Sequence, residues 1–151
     1  MKILIFGLPG SGKSTLSEPF AKLINGHWVN ADQVREQYND WDFTLEGRMR
    51  QAMRMRYICD GIVRAGKTAI ADFVCPTEQA REEFDADYTV WMDTIKEGRF
   101  EDTNRMFEKP TKYDYHVANW FDDTPHQLME VVQNYMLKKA GKPTLPVGVK
   151  K

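Results

Sequence analysis

The stretch that most restricts how this chain can fold is Gly7-Leu8-Pro9-Gly10-Ser11-Gly12-Lys13-Ser14. It satisfies GxxxxGK[ST] at every fixed position. An unbroken apolar run over residues 3–6 leads into it, and a helical pattern over residues 15–24 leads out. Such a run is expected to be a strand buried on both faces, which belongs in a parallel sheet covered by helices. The glycines let the backbone curl so that its N–H groups face an anion, and the following helix aims the positive end of its dipole at the same point. The expected ligand is a nucleoside triphosphate with Mg²⁺. Gly7, Pro9, Gly10, Ser11, Gly12, Lys13, Ser14 and Thr15 would form the cradle. Lys13 would reach the β and γ phosphates, and the Ser14 hydroxyl would ligate the metal.

Downstream, strand and helix patterns alternate. Pro19 is expected to bend the first helix or leave a carbonyl unpaired. Gly26 stops that helix, residues 27–30 suit a second strand, and Asp32 is placed to cap a helix running through Tyr38. Residues 39–43 read as a loop. Thr44 suits the N-cap of a long helix over residues 45–65, with Gly66 as its C′ residue. A third strand over residues 68–73, a short helix ending near Phe84 and a fourth strand over residues 88–92 follow, with Asp93 at the carboxyl end. A short helix over residues 100–107, a fifth strand near residues 115–118 and a last helix from Thr124-Pro125 to Lys139 complete the pattern. The expected fold is α/β, a three-layer P-loop NTPase architecture with a mainly parallel five-stranded sheet. The 151 residues suit one domain over residues 1–140 and a loose tail over residues 141–151. Ligands of such sheets bind beyond the carboxyl ends of the strands, where Gly7, Asp32, Asp72 and Asp93 fall. The second strand is expected beside the phosphate-loop strand.

Charge and cysteine usage narrow the setting. A net charge of -1 gives no overall attraction for nucleic acid, though a local basic cleft would not register in that sum. Cys59 and Cys75 lack CxxC spacing, so neither a disulfide framework nor a zinc site is expected, and the setting reads as reducing and cytoplasmic. His27, His116 and His126 have no metal-ligand spacing. No apolar stretch approaches transmembrane length, and residues 2–6 are too few for a signal segment.

A GTPase would need a DxxG switch, and there is none. Thr111-Lys112-Tyr113-Asp114 matches TKxD, but no apolar strand leads into it. What remains is a small kinase using ATP and Mg²⁺ on a small hydroxyl-bearing acceptor. It needs a carboxylate at the attacking hydroxyl, and cations and aromatics to seat an anionic acceptor. Asp32 is the candidate catalytic and metal-side carboxylate, with a plain helix cap as its other reading, and Arg35 lies one turn on. Arg48, Gln51, Ala52, Met55, Cys59 and Ile62 form one stripe of the long helix, whose polar start points Arg48 and Gln51 toward the cleft. Arg48 reads equally well as an unremarkable basic residue. Arg50 and Arg54 read as a solvated face able to pair with Glu46. Asp72 either supports Mg²⁺ through water or caps a turn. Cys75 reads as a buried residue whose backbone faces the cleft, not as a nucleophile.

These residues resemble the adenylylsulfate kinase family over the first two thirds of the chain. Asn30-Ala31-Asp32-Gln33-Val34-Arg35 stands where the family has a DGDNVR-like segment. Arg48-Met49-Arg50-Gln51 stands where it has R-x-x-N, and Ala65-Gly66 with Phe73-Val74-Cys75-Pro76 where it has AG and FISP. Asp93-Thr94 matches its strand ending in D-T. The resemblance implies transfer of the ATP γ-phosphate to the 3′-hydroxyl of adenosine 5′-phosphosulfate. It implies that Asp32 carries the base or Mg²⁺ role, that Arg35, Arg48 and Gln51 contact the acceptor, that Phe43 stacks on its adenine, and that Val74 and Cys75 line the same pocket. A homodimer is a further implication. The family's first aspartate is Asn30 here, its asparagine is Gln51, and its basic lid has no clear counterpart between Arg99 and Tyr113, where Arg99, Arg105, Lys109 and Lys112 supply the cations. Two alternatives stay open. A 5′-hydroxyl polynucleotide or modified-nucleotide kinase would share the loop, the Asp32–Arg35 pair and Asp72. A degenerate nucleotide-binding module without catalysis would be expected to lack Lys13, Ser14 or Asp32, and all three are present.

Overall fold

The structure, a computed structural model, describes residues 1–145. Its elements run β1 (Lys2–Gly7), α1 (Lys13–Leu23), β2 (His27–Asn30), α2 (Ala31–Tyr38), α3 (Leu45–Arg64), β3 (Ala69–Phe73), α4 (Glu78–Phe84), β4 (Tyr88–Met92), α5 (Glu101–Met106), β5 (Tyr115–Val117) and α6 (Thr124–Lys139). The strands form one sheet in the order β2-β3-β1-β4-β5, every neighbouring pair parallel.

Period-two alternation along the strands splits the core in two. Leu4 and Phe6 of β1 join Ala69, Ala71 and Phe73 of β3 on the face covered by α3 and α4, where Ala52, Met55, Cys59, Ala80 and Phe84 meet them. Ile3 and Ile5 join Ile70 and Val90 on the opposite face, against Leu16 and Phe20 of α1 and Leu128 and Val132 of α6. Phe6, Phe20 and Phe84 are fully buried, and each such side chain contributes about 2 kcal/mol relative to exposure. Three layers result, and every strand's carboxyl end opens on the same side.

Four expectations change. The second strand is not beside the phosphate-loop strand, because β3 lies between them. All five residues of β3 are buried, which demands a central place, whereas β2 exposes His27 and suits an edge. Asp32 does not cap α2. The cap is Asn30, whose side chain accepts a hydrogen bond from the Gln33 N–H at 3.1 Å. Arg50 and Arg54 turn to the preceding loop instead of Glu46, pairing with Asp40 and, for Arg50, also with Asp42. Finally, α1 starts at Lys13, two residues before the expected helix.

The Thr111–Asp114 match to TKxD precedes β5 and serves the sheet, since the Asp114 carboxylate accepts from the Thr89 N–H at 2.8 Å. Beyond α6, the Leu145 backbone exchanges two hydrogen bonds with the Asn134 side chain. Residues 146–151 of the expected loose tail lie outside the described residues. Among the described residues no helix is long and apolar enough to cross a membrane.

Candidate active site

The carboxyl end of β1 passes into the glycine-rich loop. A Cβ at Gly7 would strike the carbonyl oxygen of Met92 on β4, so only glycine lets the sheet close there. Gly10 and Gly12 take left-handed φ values of 86° and 95°. The Ser11 N–H donates to the Leu8 carbonyl at 3.1 Å, and the Thr94 hydroxyl at the end of β4 donates to the Ser11 carbonyl at 2.8 Å. Gly12, the N-cap of α1, offers no side chain to the first turn, which leaves that turn's N–H groups facing the cleft. This is the cradle a phosphate chain requires.

The cleft above it has a volume of about 1010 Å³ and is lined on this side by Pro9, Gly10, Gly12, Lys13, Ser14 and Thr15. The Lys13 ammonium folds back onto the Leu8 carbonyl at 3.0 Å. Burial lowers its pKa to about 8, against the pull of Asp72 and then Asp32. An anion in the cleft would stabilise its charge.

Opposite lies a carboxylate corner. Asp72, at the end of β3, is buried, and its Oδ2 accepts from the Trp28 indole N–H at 2.6 Å. Burial raises its pKa, with Trp28 and Lys13 opposing. The Asn30 side-chain amide donates to the Ser14 hydroxyl at 3.4 Å and to Asp72 Oδ1 at 3.5 Å. Asp32, one residue into α2, is exposed and lines the cleft. These donors suit Mg²⁺, which takes oxygen ligands and needs only one or two carboxylates beside phosphate oxygens and water. Among the described residues no group of three or more His, Cys, Asp or Glu could hold a metal by itself.

The far wall is built around Phe43. The Arg35 guanidinium lies 4.4 Å from its ring centroid and the Arg48 guanidinium 5.3 Å. Arg35 Nη1 donates to the carbonyls of Asp40 and Asp42, fixing the loop that presents Phe43. Arg48 donates through Nε to the Phe43 carbonyl at 3.2 Å and through Nη2 to the Thr103 hydroxyl of α5 at 2.7 Å. Among the described residues neither guanidinium forms an ion pair with a carboxylate. Burial, and then Arg35, lowers the Arg48 pKa. A buried cation left without a counter-ion is costly, and an anionic ligand removes that cost.

Most of the residues singled out in the sequence meet in this one cleft: Pro9, Gly10, Gly12, Lys13, Ser14, Thr15, Asp32, Phe43, Arg48 and Val74 all line it. Gly7 and Ser11 stand behind the wall and shape the loop. Arg35 is buried behind Phe43. Gln51 does not aim into the cleft: it is 2% exposed and its amide donates to the Ala31 carbonyl at 3.0 Å. Cys75 is buried, burial pushes its thiol pKa up, and its carbonyl faces the Arg81 guanidinium at 3.0 Å instead of the cleft. Asp93 pairs with His116 at 2.9 Å, away from the cleft wall. The sequence reading did not single out Phe100, Asp102, Thr103 and Met106, which complete the wall together with Arg99. No motif marks them, and only their fold-back onto Arg48 brings them in. Of the other cations between β4 and β5, Arg105 pairs with Glu101 and Asp102, and Lys109 and Lys112 are exposed off the wall.

Residues 1–116 match the family described as adenylylsulphate kinase. The chain belongs to that family. A protein of Aeropyrum pernix described as a probable adenylyl-sulfate kinase is 35% identical over 85 residues, which cover 52% of this chain and 46% of that protein. The match thus spans about half the length of this curated relative. The structure of a Mycobacterium tuberculosis APS kinase in complex with AMPPNP and APS has a TM-score of 0.70 at 15% identity, over 87% of this chain and 96% of that one. A shikimate kinase from Acinetobacter baumannii in complex with shikimate has a TM-score of 0.57 at 16% identity, over 91% of this chain and 93% of that one. At these identities the likeness shows a shared fold, that of the P-loop kinases.

Proposed function

We propose that this chain transfers the γ-phosphate of ATP to a hydroxyl of a small anionic nucleotide, the 3′-hydroxyl of adenosine 5′-phosphosulfate. The observation that carries the reading is Arg48, a buried guanidinium set against Phe43 with no carboxylate ion pair among the described residues, lining one cleft with Lys13. Arg35 packs behind Phe43 and holds its loop. An aromatic face suits a purine, and guanidinium groups suit phosphosulfate oxygens. The APS and AMPPNP bound together in the related M. tuberculosis structure support the same pairing of ligands.

The roles follow from position. The loop N–H groups and Lys13 hold the phosphate chain and offset the charge that builds on the transferring group. Ser14 and the carboxylates beside it would hold Mg²⁺, which would supply further neutralisation of that charge. Asp32 stands free at the mouth of the cleft, where a carboxylate can orient the acceptor hydroxyl and take its proton. Phe43 and Arg48 seat the acceptor, and Val74 borders it.

The test is ADP release from Mg-ATP with adenosine 5′-phosphosulfate, run beside a 5′-hydroxyl oligonucleotide. Turnover that requires the phosphosulfate is the expected result. Turnover with the oligonucleotide alone would overturn the acceptor assignment and leave the phosphate loop in place. ATP binding without turnover of either acceptor would refute the proposal as stated.

A further inference from the structure

Helix α5 is too small to hold itself in place by packing. It has six residues, of which Thr103 is the one buried, yet Thr103 must stand where Arg48 meets it. At its start, the Asn104 side chain exchanges two hydrogen bonds of 2.8 Å with the Gly98 backbone, and Thr94 ties the same segment to the phosphate loop. Its far end needs an anchor too. We propose that Arg81 is a positioning residue that supplies it: the guanidinium clasps the chain leaving α5 to the turn leaving β3, and so fixes the two sides of the acceptor wall relative to each other. This rests on the reading of Phe43, Arg48 and Thr103 as the acceptor wall.

Arg81 stands in α4, is buried and does not line the cleft. Its Nε donates to the Cys75 carbonyl at 3.0 Å, and its Nη2 donates to the carbonyls of Pro76 at 3.1 Å and Glu108 at 2.7 Å. Nη1 meets the Glu78 carboxylate at 2.9 Å. The guanidinium lies 4.5 Å from the Phe6 ring centroid and 5.1 Å from that of Phe107, and those two rings stack on each other. One cation thus joins backbone carbonyls from two segments far apart in the chain. The Glu108 N–H closes the same junction by donating to the Pro76 carbonyl at 2.7 Å, and the Glu108 carboxylate accepts from the Glu78 N–H at 2.9 Å. Both segments run directly into the wall. Val74 precedes Cys75, Thr103 and Met106 precede Phe107, and all of them line the cleft. Cys75 takes a left-handed φ of 44°. A residue other than glycine keeps such a conformation only where its surroundings hold it, and Arg81 holds the Cys75 carbonyl. Stability alone is a poor reason to bury this cation, because apolar side chains of similar volume often replace a buried ion pair without loss. What they cannot supply is a planar fork of donors that reaches three carbonyls at once.

The experiment compares Arg81→Met, Thr103→Val and the double variant in steady-state ADP release, and follows backbone hydrogen exchange of the full chain without ligands. Methionine keeps the unbranched length and the contact with both rings while removing every donor. Arg81→Met should raise the KM for adenosine 5′-phosphosulfate by about tenfold, the size of one lost hydrogen bond to a charged group, with the ATP KM unchanged. Exchange at residues 103–108 should quicken. Because Arg81 acts through the bond between Thr103 and Arg48, adding Thr103→Val should raise the acceptor KM no further. A purely structural role would move both KM values together, or let the two substitutions multiply their effects. Either result, or a wild-type acceptor KM despite faster exchange, would overturn the inference. Glu108→Ala alters an exposed residue and removes the carboxylate's bond to the Glu78 N–H. It carries the same cycle if Arg81→Met fails to fold, with the acceptor KM expected up about threefold, and an unchanged KM would overturn the inference. Wild-type protein without phosphosulfate turnover would overturn the acceptor reading, and unchanged exchange in these variants would then overturn the clasp as well.

Discussion

Thr103→Val puts the acceptor wall to a quantitative test. Valine keeps the shape of threonine and removes only the hydroxyl, which accepts from Arg48 Nη2 at 2.7 Å in a buried setting. Thr103 is the one buried residue of α5, so the change leaves the rest of that helix untouched. A hydrogen bond to a charged group contributes about 1.5–3 kcal/mol, and 1.36 kcal/mol corresponds to a factor of about ten. Arg48 retains its bond to the Phe43 carbonyl, so the lower end applies and the loss should be about tenfold. Because Arg48 borders the open cleft, its freed guanidinium can swing toward water. The energy then appears less as lost stability than as lost acceptor binding. Steady-state ADP release should show the adenosine 5′-phosphosulfate KM up about tenfold, the ATP KM unchanged within error and kcat reduced less. Thr103→Ser restores the acceptor oxygen and should restore the KM. An equal rise in both KM values, or a wild-type acceptor KM with a lowered Tm, would refute the view that α5 acts on the acceptor through Arg48.

Arg48→Ala should raise the acceptor KM more than Thr103→Val does, again with little effect on the ATP KM, and equal effects on both substrates would contradict its placement. Lys13→Ala should remove phosphoryl transfer with no loss of Tm, because burial of this ammonium costs the empty protein stability; normal kcat would sink its assigned role. Acid should loosen the loop that presents Phe43. The Thr44 hydroxyl and N–H and then Arg50 hold the Asp42 pKa at about 2, below its ordinary 3.8, and Arg50 and Arg54 likewise hold Asp40 low. A depressed folded pKa stabilises the protein above the unfolded value and ceases to do so as pH falls through the folded one. Hydrogen exchange at residues 40–44 should therefore rise between pH of about 4 and 2, and Asp42→Asn should flatten that rise. Met55→Ala, in the middle of the α3 face of the core, should cost about 2–5 kcal/mol in chemical denaturation, while Met53→Ala on the exposed side should be nearly silent.

The phosphate loop was legible because its chemistry is local. Gly7 through Ser14 are contiguous, and each constraint acts within a few residues: turn, dipole, lysine and hydroxyl. Strand and helix periods are local too, and so is the unbroken apolar run of β1, whose pleat places Ile3 and Leu4 on opposite faces. Hence the layers and the parallel five-stranded sheet followed from the order of residues alone. The stripe of α3 was readable for the same reason, since helical geometry fixes which residues share a face.

What the chain order could not decide is what meets what across long separations. The seating of β3 between β1 and β2 depends on how crossovers pack, and it alone brings Asn30 and Asp72 into register. Gln51 and Arg48 lie within one turn of the same helix. Yet Gln51 meets the Ala31 carbonyl of α2 while Arg48 turns up to Phe43 and Thr103. Thr103 lies fifty-five positions from Arg48 in a segment without a motif, and nothing short of the folded chain puts its hydroxyl there. Sequence determined the nucleotide cradle because backbone conformation and side-chain type suffice for it. Tertiary structure decided which side chains line the far wall of the cleft and how differently Asp32 and Asp72 are surrounded, because those are set by burial and by partners that only folding brings together.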